Sequence, residues 1–334
     1  MIQQKRLLNI LSGSFSLELI IKPTGRCNFN CSFCSANLLD IKHSEKVSDE
    51  LKHIIETLKP SSLIFTGGDP LMVNRNFYDE ILTLGDFNIS FTTNLKAFYF
   101  DPDKWTDLFK LERVGVCTSF QYGTERKWDI NTPYTESKFI EVMNLFNEKI
   151  GYMPSFISLV SEENEDRALD HIYLAKQLGT KCKLNAVLKM GLSKEYYPFY
   201  KMIDLWLKIQ DLGLEEYWDN EIQFKLGGCN FNTNGLCESS IRTFWLDNKG
   251  NIKYGNCEDR SSNELFIPMD KEAPKPKKSP LELKNLISSK CLFCHLCRLC
   301  NGCKAKLLQN KEDKKFCSEM KKREERILGA GWKL

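Results

Sequence analysis

The chain is poor in histidine, with four among 334 residues. The mixed cysteine–histidine pattern of many zinc sites is therefore not what dominates here. It also lacks an excess of one charge. Lys and Arg number 47 against 44 Asp and Glu, a formal net of +3, which gives no reason to place nucleic acid among its partners. No apolar run approaches the roughly 18 residues that a membrane span requires. The opening segment, MIQQKRLLNILSGSF, has no long apolar stretch and no clear small-residue cleavage site, so it reads as a poor signal peptide. A cytoplasmic protein without a membrane partner is expected. Apolar residues at 42% and charged residues at 27% exclude low-complexity, collagen-like and wholly disordered chains, and the length suggests about two domains.

What the chain has in abundance is cysteine, 14 residues. Cytosolic thiols stay reduced, so metal ligation or redox chemistry explains them better than disulfides. They are unevenly spread. Cys27, Cys31 and Cys34 sit together, Cys117 and Cys182 stand alone, and nine follow residue 228. The chain reads as a cysteine-poor body with a metal motif at its front and a cysteine-rich module at its back.

Between residues 17 and 212 short apolar runs alternate with helical patterns. Strands are expected at Leu17–Lys22, Ser62–Thr66, Ile89–Thr93, Val114–Phe120, Phe156–Val160 and Lys183–Leu188. Helices are expected at Ser48–Leu58, Phe77–Leu84, Lys138–Phe146, Asn164–Leu178 and Tyr197–Leu212. Ser48 is placed to cap the first, and Gly179 to stop the fourth. Six β/α units in series predict an α/β fold with a parallel sheet, open or curled into a partial (β/α)6 barrel of TIM type. The expected divisions are a lead-in over 1–16, a core over 17–215 and a cysteine-rich module over 216–334. Within the last, 268–280 is rich in Pro and Lys and reads as a solvated loop.

The front motif, Cys27-Asn28-Phe29-Asn30-Cys31-Ser32-Phe33-Cys34, is C-x3-C-x2-C directly after the first strand. Three thiolates on one loop can hold three irons of a four-iron cluster, with no fourth cysteine nearby. That leaves one iron open, as a catalytic centre needs. By spacing alone, zinc ligation remains open.

With an aromatic just before its third cysteine, CNFNCSFC resembles the signature of the radical S-adenosyl-L-methionine (SAM) enzymes. Gly67-Gly68-Asp69-Pro70 after the second strand resembles the family's Gly-Gly-Glu-Pro, with Asp in place of Glu. That motif holds the amino group of the methionyl part. Thr93-Asn94 with Leu95 resembles Thr-Asn-Gly. Ser119 and Gln121 resemble the serine and aspartate of a ribose-contacting segment, and Arg126 approximates an arginine that pairs with the methionyl carboxylate. The resemblance implies that Phe33, Gly67, Gly68, Asp69, Pro70, Thr93, Asn94, Ser119, Gln121 and Arg126 contact SAM.

The back module resembles the SPASM module of the same superfamily. The resemblance implies two auxiliary 4Fe-4S clusters, one on Cys229, Cys237, Cys257 and Cys303, the other on Cys291, Cys294, Cys300 and Cys317. With the SAM-binding cluster that makes three. The spacing departs from the usual C-x2-C-x5-C-x3-C, because only Asn301 and Gly302 separate the last pair and Cys297 is an extra thiol. His295 lies in the same run. A zinc reading of Cys291, Cys294, Cys300 and Cys303 suits their spacing but does not account for the other four ligands.

The implied activity is reductive cleavage of SAM to a 5′-deoxyadenosyl radical that abstracts hydrogen from a substrate. Relatives with this module mostly modify ribosomally made peptides, by crosslinking, epimerisation or oxidation. A dehydrogenase or rearrangement enzyme acting on a small metabolite is the alternative. A non-catalytic electron carrier and a zinc-stabilised binding module are two further readings. The expected partners are a peptide or small-molecule substrate and an electron donor such as flavodoxin or ferredoxin. Cys27 follows only 26 residues, so a separate leader-peptide recognition protein is expected if the substrate is a peptide. No Cys-Tyr pair follows Cys34, which disfavours the sulfatase-maturing subgroup. Cys117 shares a strand face with Ser119 by the period of two, which makes it a candidate hydrogen-atom donor or substrate contact, against the plainer reading of a small buried filler. Cys182 is read as filler. Tyr122 and Asp129, on the loop after the fourth strand, are further candidates to meet substrate.

Overall fold

The computed structural model describes residues 17–34, 39–187, 192, 196–219, 241–256, 290–291, 294–296, 299–300 and 313–331. All six expected core strands are present as β1 (Glu18–Ile21), β2 (Ser62–Phe65), β3 (Asn88–Thr92), β4 (Val114–Ser119), β7 (Ser155–Val160) and β8 (Cys182–Ala186). A small hairpin, β5 (Lys127–Asp129) and β6 (Thr132–Pro133), lies between β4 and β7. The main sheet runs β10-β9-β1-β2-β3-β4-β7-β8. Every neighbouring pair is parallel except β9 (Ile241–Leu246) with β10 (Ile252–Asn256). The chain is therefore α/β with a mostly parallel sheet. The β9–β10 pair extends this sheet, β9 lying parallel to β1 with Phe244 opposite Ile21.

Side chains alternate in environment along each core strand. In β4, Val114, Val116 and Thr118 are buried, while Gly115, Cys117 and Ser119 are half-buried. β7 repeats the pattern, with Phe156, Ser158 and Val160 buried. One face of the sheet is thus fully buried and the other only partly. The buried face carries large apolar residues such as Leu19, Leu63, Phe65, Ile89, Phe91 and Phe156. Burying each stabilises by about 1.5–3 kcal/mol relative to exposure.

The helices are α1 (Asp49–Leu58), α2 (Arg75–Thr83), α3 (Lys96–Phe100), α4 (Asp103–Phe109), α5 (Glu136–Ile150), α6 (Asp170–Gln177), α7 (Phe199–Asp211), α8 (Phe316–Lys322) and α9 (Glu324–Gly329). Ser48 caps α1 by accepting from Leu51 N–H at 3.2 Å, as its position predicts. Gly179 ends α6 at φ +65°. The helix expected from Asn164 starts later. Asn164 is buried, with its amide donating to the Tyr122 and Leu159 carbonyls at 3.2 and 2.9 Å, so it ties β7 to the loop after β4 instead of capping a helix. α3 and α4 escaped the periodicity reading because they are short and divided by Pro102.

The described C-terminal segments pack on the core. Leu296, Phe316, Met320 and Ile327 belong to the main apolar cluster. Arg323 donates to Asp204 on α7 through Nε and a terminal nitrogen, at 2.7 and 2.6 Å, the two-pronged geometry that makes such pairs specific. The lead-in 1–16, the loop 268–280 and Cys229, Cys237, Cys257, Cys297 and Cys303 lie outside the described residues. Among the described residues no helix is long and apolar enough to cross a membrane.

Candidate active site

In a parallel sheet all loops after the strands open at one end, where sites are built. Every front motif falls there. The cysteine loop follows β1, Gly67–Pro70 follows β2, Thr93–Asn94 follows β3, and Ser119–Arg126 leaves β4.

These loops interlock. Gly68 N–H donates to the Thr24 carbonyl and Asp69 N–H to that of Arg26, each at 2.8 Å. The glycine turn therefore lies directly on the segment entering the cysteine loop. A Cβ on Gly68 would stand 2.1 Å from the Arg26 carbonyl oxygen, and one on Gly67 2.5 Å from that of Thr24. Gly67 also stands at φ +124°. Both positions thus demand glycine for close approach, which a simple βα turn would not require. On its other side the cysteine loop pairs with the β5 segment. Asn30 N–H donates to the Lys127 carbonyl at 3.2 Å and Ser32 N–H to that of Glu125 at 3.0 Å.

Asp69 is fully buried, and its carboxylate is engaged within the protein. It accepts from Leu71 N–H at 2.9 Å, from the Thr93 hydroxyl at 3.0 and 2.9 Å, and from Asn94 N–H at 2.7 Å. Burial raises its pKa, and these donors oppose the rise. Pro70 opens a short 3-10 turn that Asp69 caps. Leu95 replaces the family's glycine yet keeps a glycine-like backbone, φ +61° and ψ 7°.

Burial above all, with Asp69, Cys31 and Cys34 nearby, pushes the Cys27 thiol up to about 12. Burial also raises Cys31, which Arg126 opposes. Three clustered, partly buried thiols suit a cationic metal centre that would hold them as thiolates. N–H donors already face the sulfurs. Phe29 N–H lies 3.4 Å from Cys27 Sγ, the Asn94 side-chain amide 3.5 Å from the same atom, and Lys127 N–H bonds Cys31. Among the described residues no three His, Cys, Asp or Glu side chains converge as a single metal ion would require. Three thiols on one loop suit a cluster, where each meets a different iron. The donor set fits.

Arg126 is buried. It donates to Ser119 Oγ at 2.9 Å and lies over the Phe33 ring, 5.1 Å from its centroid. Its Nε has no hydrogen-bond partner among the described residues. A buried guanidinium with a spare donor beside the cysteine loop suits a carboxylate. Gln121 is fully buried, its Oε1 without a partner among the described residues and its Nε2 3.4 Å from Glu125 Oε2.

Two residues that motif reading passes over belong to this site. Glu125 accepts from Ser161 Oγ at 3.0 Å, and burial raises its pKa. Lys96 donates to the Asn28 carbonyl at 3.2 Å, the Trp128 carbonyl at 2.5 Å and Asp129 at 2.7 Å, fastening the cysteine loop to the β5–β6 hairpin. Neither belongs to a motif, since Lys96 reaches Asn28, Trp128 and Asp129 and Glu125 reaches Ser161 across 30 residues or more. Asp129 is thus the partner of Lys96. Tyr122 is buried, its N–H donating to His171 at 3.1 Å.

Cys117 lies on the half-buried face of the sheet with Ser119, bonded to Ser155, and burial raises its thiol to about 11. Cys182 is buried on the opposite face beside Ser158, as a filler would be. Of the cysteines expected to be ligands in the back module, Cys291, Cys294 and Cys300 are half-buried and Cys317 is exposed. Exposed His295 faces Glu324 at 3.6 Å.

The chain has known relatives in fold and in sequence. The chain is similar in structure to SuiB of Streptococcus suis bound to S-adenosylmethionine, with a TM-score of 0.57 and 15% identity over 93% of this chain and 78% of that one. It resembles SuiB bound to the precursor peptide SuiA with a TM-score of 0.58, 16% identity and coverage of 93% and 77%. Among curated sequences, the uncharacterized protein MJ0907 of Methanocaldococcus jannaschii is 36% identical over 78 residues, which span 22% of this chain and only 26% of that protein. The model of the radical SAM superfamily matches residues 21–191, a span that holds the cysteine loop, the glycine turn, Thr93–Asn94 and Arg126. With that match over half its length, the chain belongs to the radical SAM superfamily.

Proposed function

We propose that this radical SAM enzyme modifies a ribosomally made peptide, starting from hydrogen abstraction over the half-buried face of its sheet. The observation that carries the reading is the interlock of three loops at one mouth, with a half-satisfied buried Arg126 beside them. When bound, the cluster and SAM supply reductive cleavage of the sulfonium and a hydrogen-abstracting 5′-deoxyadenosyl radical. Cys27, Cys31 and Cys34 hold the cluster. Arg126, fixed by Ser119 and Phe33, orients the methionyl carboxylate. Asp69 turns inward, so its part in this chain is to keep the shape of the Gly67–Gly68 turn on which the amino group would rest. Gln121 and Glu125 offer hydrogen-bonding groups at the ribose side. Thr92, Cys117, Ser155, Lys183 and Asn185 make the half-buried face of the sheet polar, as suits a peptide backbone, and the protonated Cys117 would touch substrate.

The peptide assignment is supported by the shared fold with SuiB, whose complex holds a precursor peptide. Cys229, Cys237, Cys257 and Cys303 would hold one auxiliary cluster and Cys291, Cys294, Cys300 and Cys317 the other, giving the substrate's electron a place to go. Flavodoxin or ferredoxin would supply the first electron. The test is anaerobic reconstitution followed by reduction with SAM. About twelve irons per chain, 5′-deoxyadenosine and a mass change on a precursor peptide are expected. Zinc with little iron and no 5′-deoxyadenosine would overturn the reading. About four irons would remove the auxiliary clusters, and turnover of a small metabolite alone would replace the substrate.

A further inference from the structure

The turn after β3 adopts a backbone that its residues do not favour. Leu95 is fully buried and stands in the left-handed region at φ +61°, which costs a residue with a Cβ about 1–2 kcal/mol. Such strain persists where the surroundings over-determine it, and here they do. Asp69 accepts from Asn94 N–H at 2.7 Å. Thr93 Oγ1 donates to Asp69 and accepts from Leu95 N–H at 3.1 Å. Asn94 Oδ1 accepts from Lys96 N–H at 2.8 Å. With its backbone and carbonyl oxygen so held, Asn94 has only its amide nitrogen left to direct. That nitrogen lies 2.8 Å from Asn28 Oδ1 and 3.5 Å from Cys27 Sγ.

We propose that Asn94 is a positioning residue that sets the reduction potential of the front cluster by donating its side-chain N–H to the Cys27 sulfur, and that the strained turn at Leu95 aims it. The inference rests on the reading of Cys27 as a cluster ligand. The electron that reduces a cluster spreads its charge onto the thiolate sulfurs. An N–H dipole pointed at one of them stabilises the reduced form more than the oxidised form, and so raises the potential. Asn94 is 6% exposed, and in that low-dielectric setting the dipole is weakly screened. The sequence match to Thr-Asn-Gly places Asn94 beside the cofactor. Only the fold shows that its amide reaches a cysteine 67 positions away.

The test is redox titration of the reconstituted full-length chain, following the front cluster by the EPR change that SAM induces in it. Asn94→Asp keeps the Oδ1 acceptor for Lys96 N–H and removes the donor, while Asn94→Leu removes both. At the wild-type midpoint, each variant is expected to show about a tenfold lower ratio of reduced to oxidised cluster, equivalent to 59 mV for a one-electron couple, with iron content retained. Asn28→Ala, which removes only the second acceptor of the same amide, is expected to move the ratio by less than threefold. Unchanged ratios in loaded Asn94→Asp and Asn94→Leu would overturn the inference and leave Cys27 as a ligand. Failure of wild type to take up a SAM-responsive cluster, or its survival intact in Cys27→Ser, would sink the underlying reading as well. Should the Asn94 variants not hold a cluster, wild type labelled with 15N-asparagine decides. An asparagine nitrogen coupling on the reduced cluster is expected, and its absence overturns the inference.

Discussion

The Thr93 hydroxyl donates to both carboxylate oxygens of Asp69, at 3.0 and 2.9 Å, joining the turn after β2 to the turn after β3 in the buried floor of the site. Because Asp69 also accepts from two backbone N–H groups, one carboxylate fixes the turn that meets the cysteine loop and the turn that carries Asn94.

Replacing Asp69 by alanine leaves three buried donors without an acceptor. Each unsatisfied group costs about 1–3 kcal/mol, and neighbours do not add fully. Asp69→Ala is expected to lower unfolding free energy by about 3–5 kcal/mol in urea titration. A loss under about 1 kcal/mol would mean that the donors find other partners.

Gly68→Ala places a Cβ 2.1 Å from a backbone carbonyl oxygen. Backbone cannot swing aside as a flexible side chain does, so the glycine turn and the cysteine loop must part. Low iron uptake is expected, with a clear drop in melting temperature. Gly179→Ala meets open space and carries only the strain of φ +65°, about 1 kcal/mol. It should retain iron. Equal iron loss in both would count against a local effect at Gly68.

At Leu95 two effects compete. Leu95→Gly relieves about 1–2 kcal/mol of left-handed strain. It also removes a fully buried leucine, and Leu→Ala changes at such positions cost about 2.7–5 kcal/mol. The cavity wins, so a net destabilisation of about 1–3 kcal/mol is expected. A gain in melting temperature would show that strain dominates.

His171 gives stability a pH dependence. It is buried as the neutral ring, with Nδ1–H donating to the Ala168 carbonyl and Nε2 accepting from Tyr122 N–H, each at 3.1 Å. Burial depresses its pKa from 6.5 to about 4. The unfolded chain therefore binds the proton first on acidification. The stabilisation is fully present above pH 6.5 and is lost as pH falls toward 4, amounting to about 3 kcal/mol at about 1.4 kcal/mol per unit. Urea titrations from pH 7.5 to 4.5 should show this slope in wild type and a flatter one in His171→Gln.

Arg126→Gln keeps a hydrogen-bond donor near Ser119 and removes the charge. Binding of S-adenosylhomocysteine, which has the same amino-acid end as SAM, should weaken by tenfold or more in equilibrium dialysis with cluster-loaded protein. Unchanged binding would remove Arg126 as the carboxylate partner.

By itself the amino-acid sequence determined the six strands, most of the helices that cover them and the front motifs. Those features are local. Period-two alternation, the Ser48 cap, the Gly179 stop and the C-x3-C-x2-C spacing lie within a few residues of one another, where chain connectivity already brings side chains together. The sequence also placed Asp69, Thr93 and Asn94 in the site by resemblance, without their partners. Tertiary structure decided those partners. Asp69 faces Thr93 and Asn94 from another loop, Lys96 at the start of α3 reaches across to the β5–β6 hairpin, Glu125 joins the site from just before β5, and β9 attaches beside β1. Each of these depends on how parallel strands bring distant loops to one mouth, and contacts set by packing across dozens of residues leave no spacing for a motif to show.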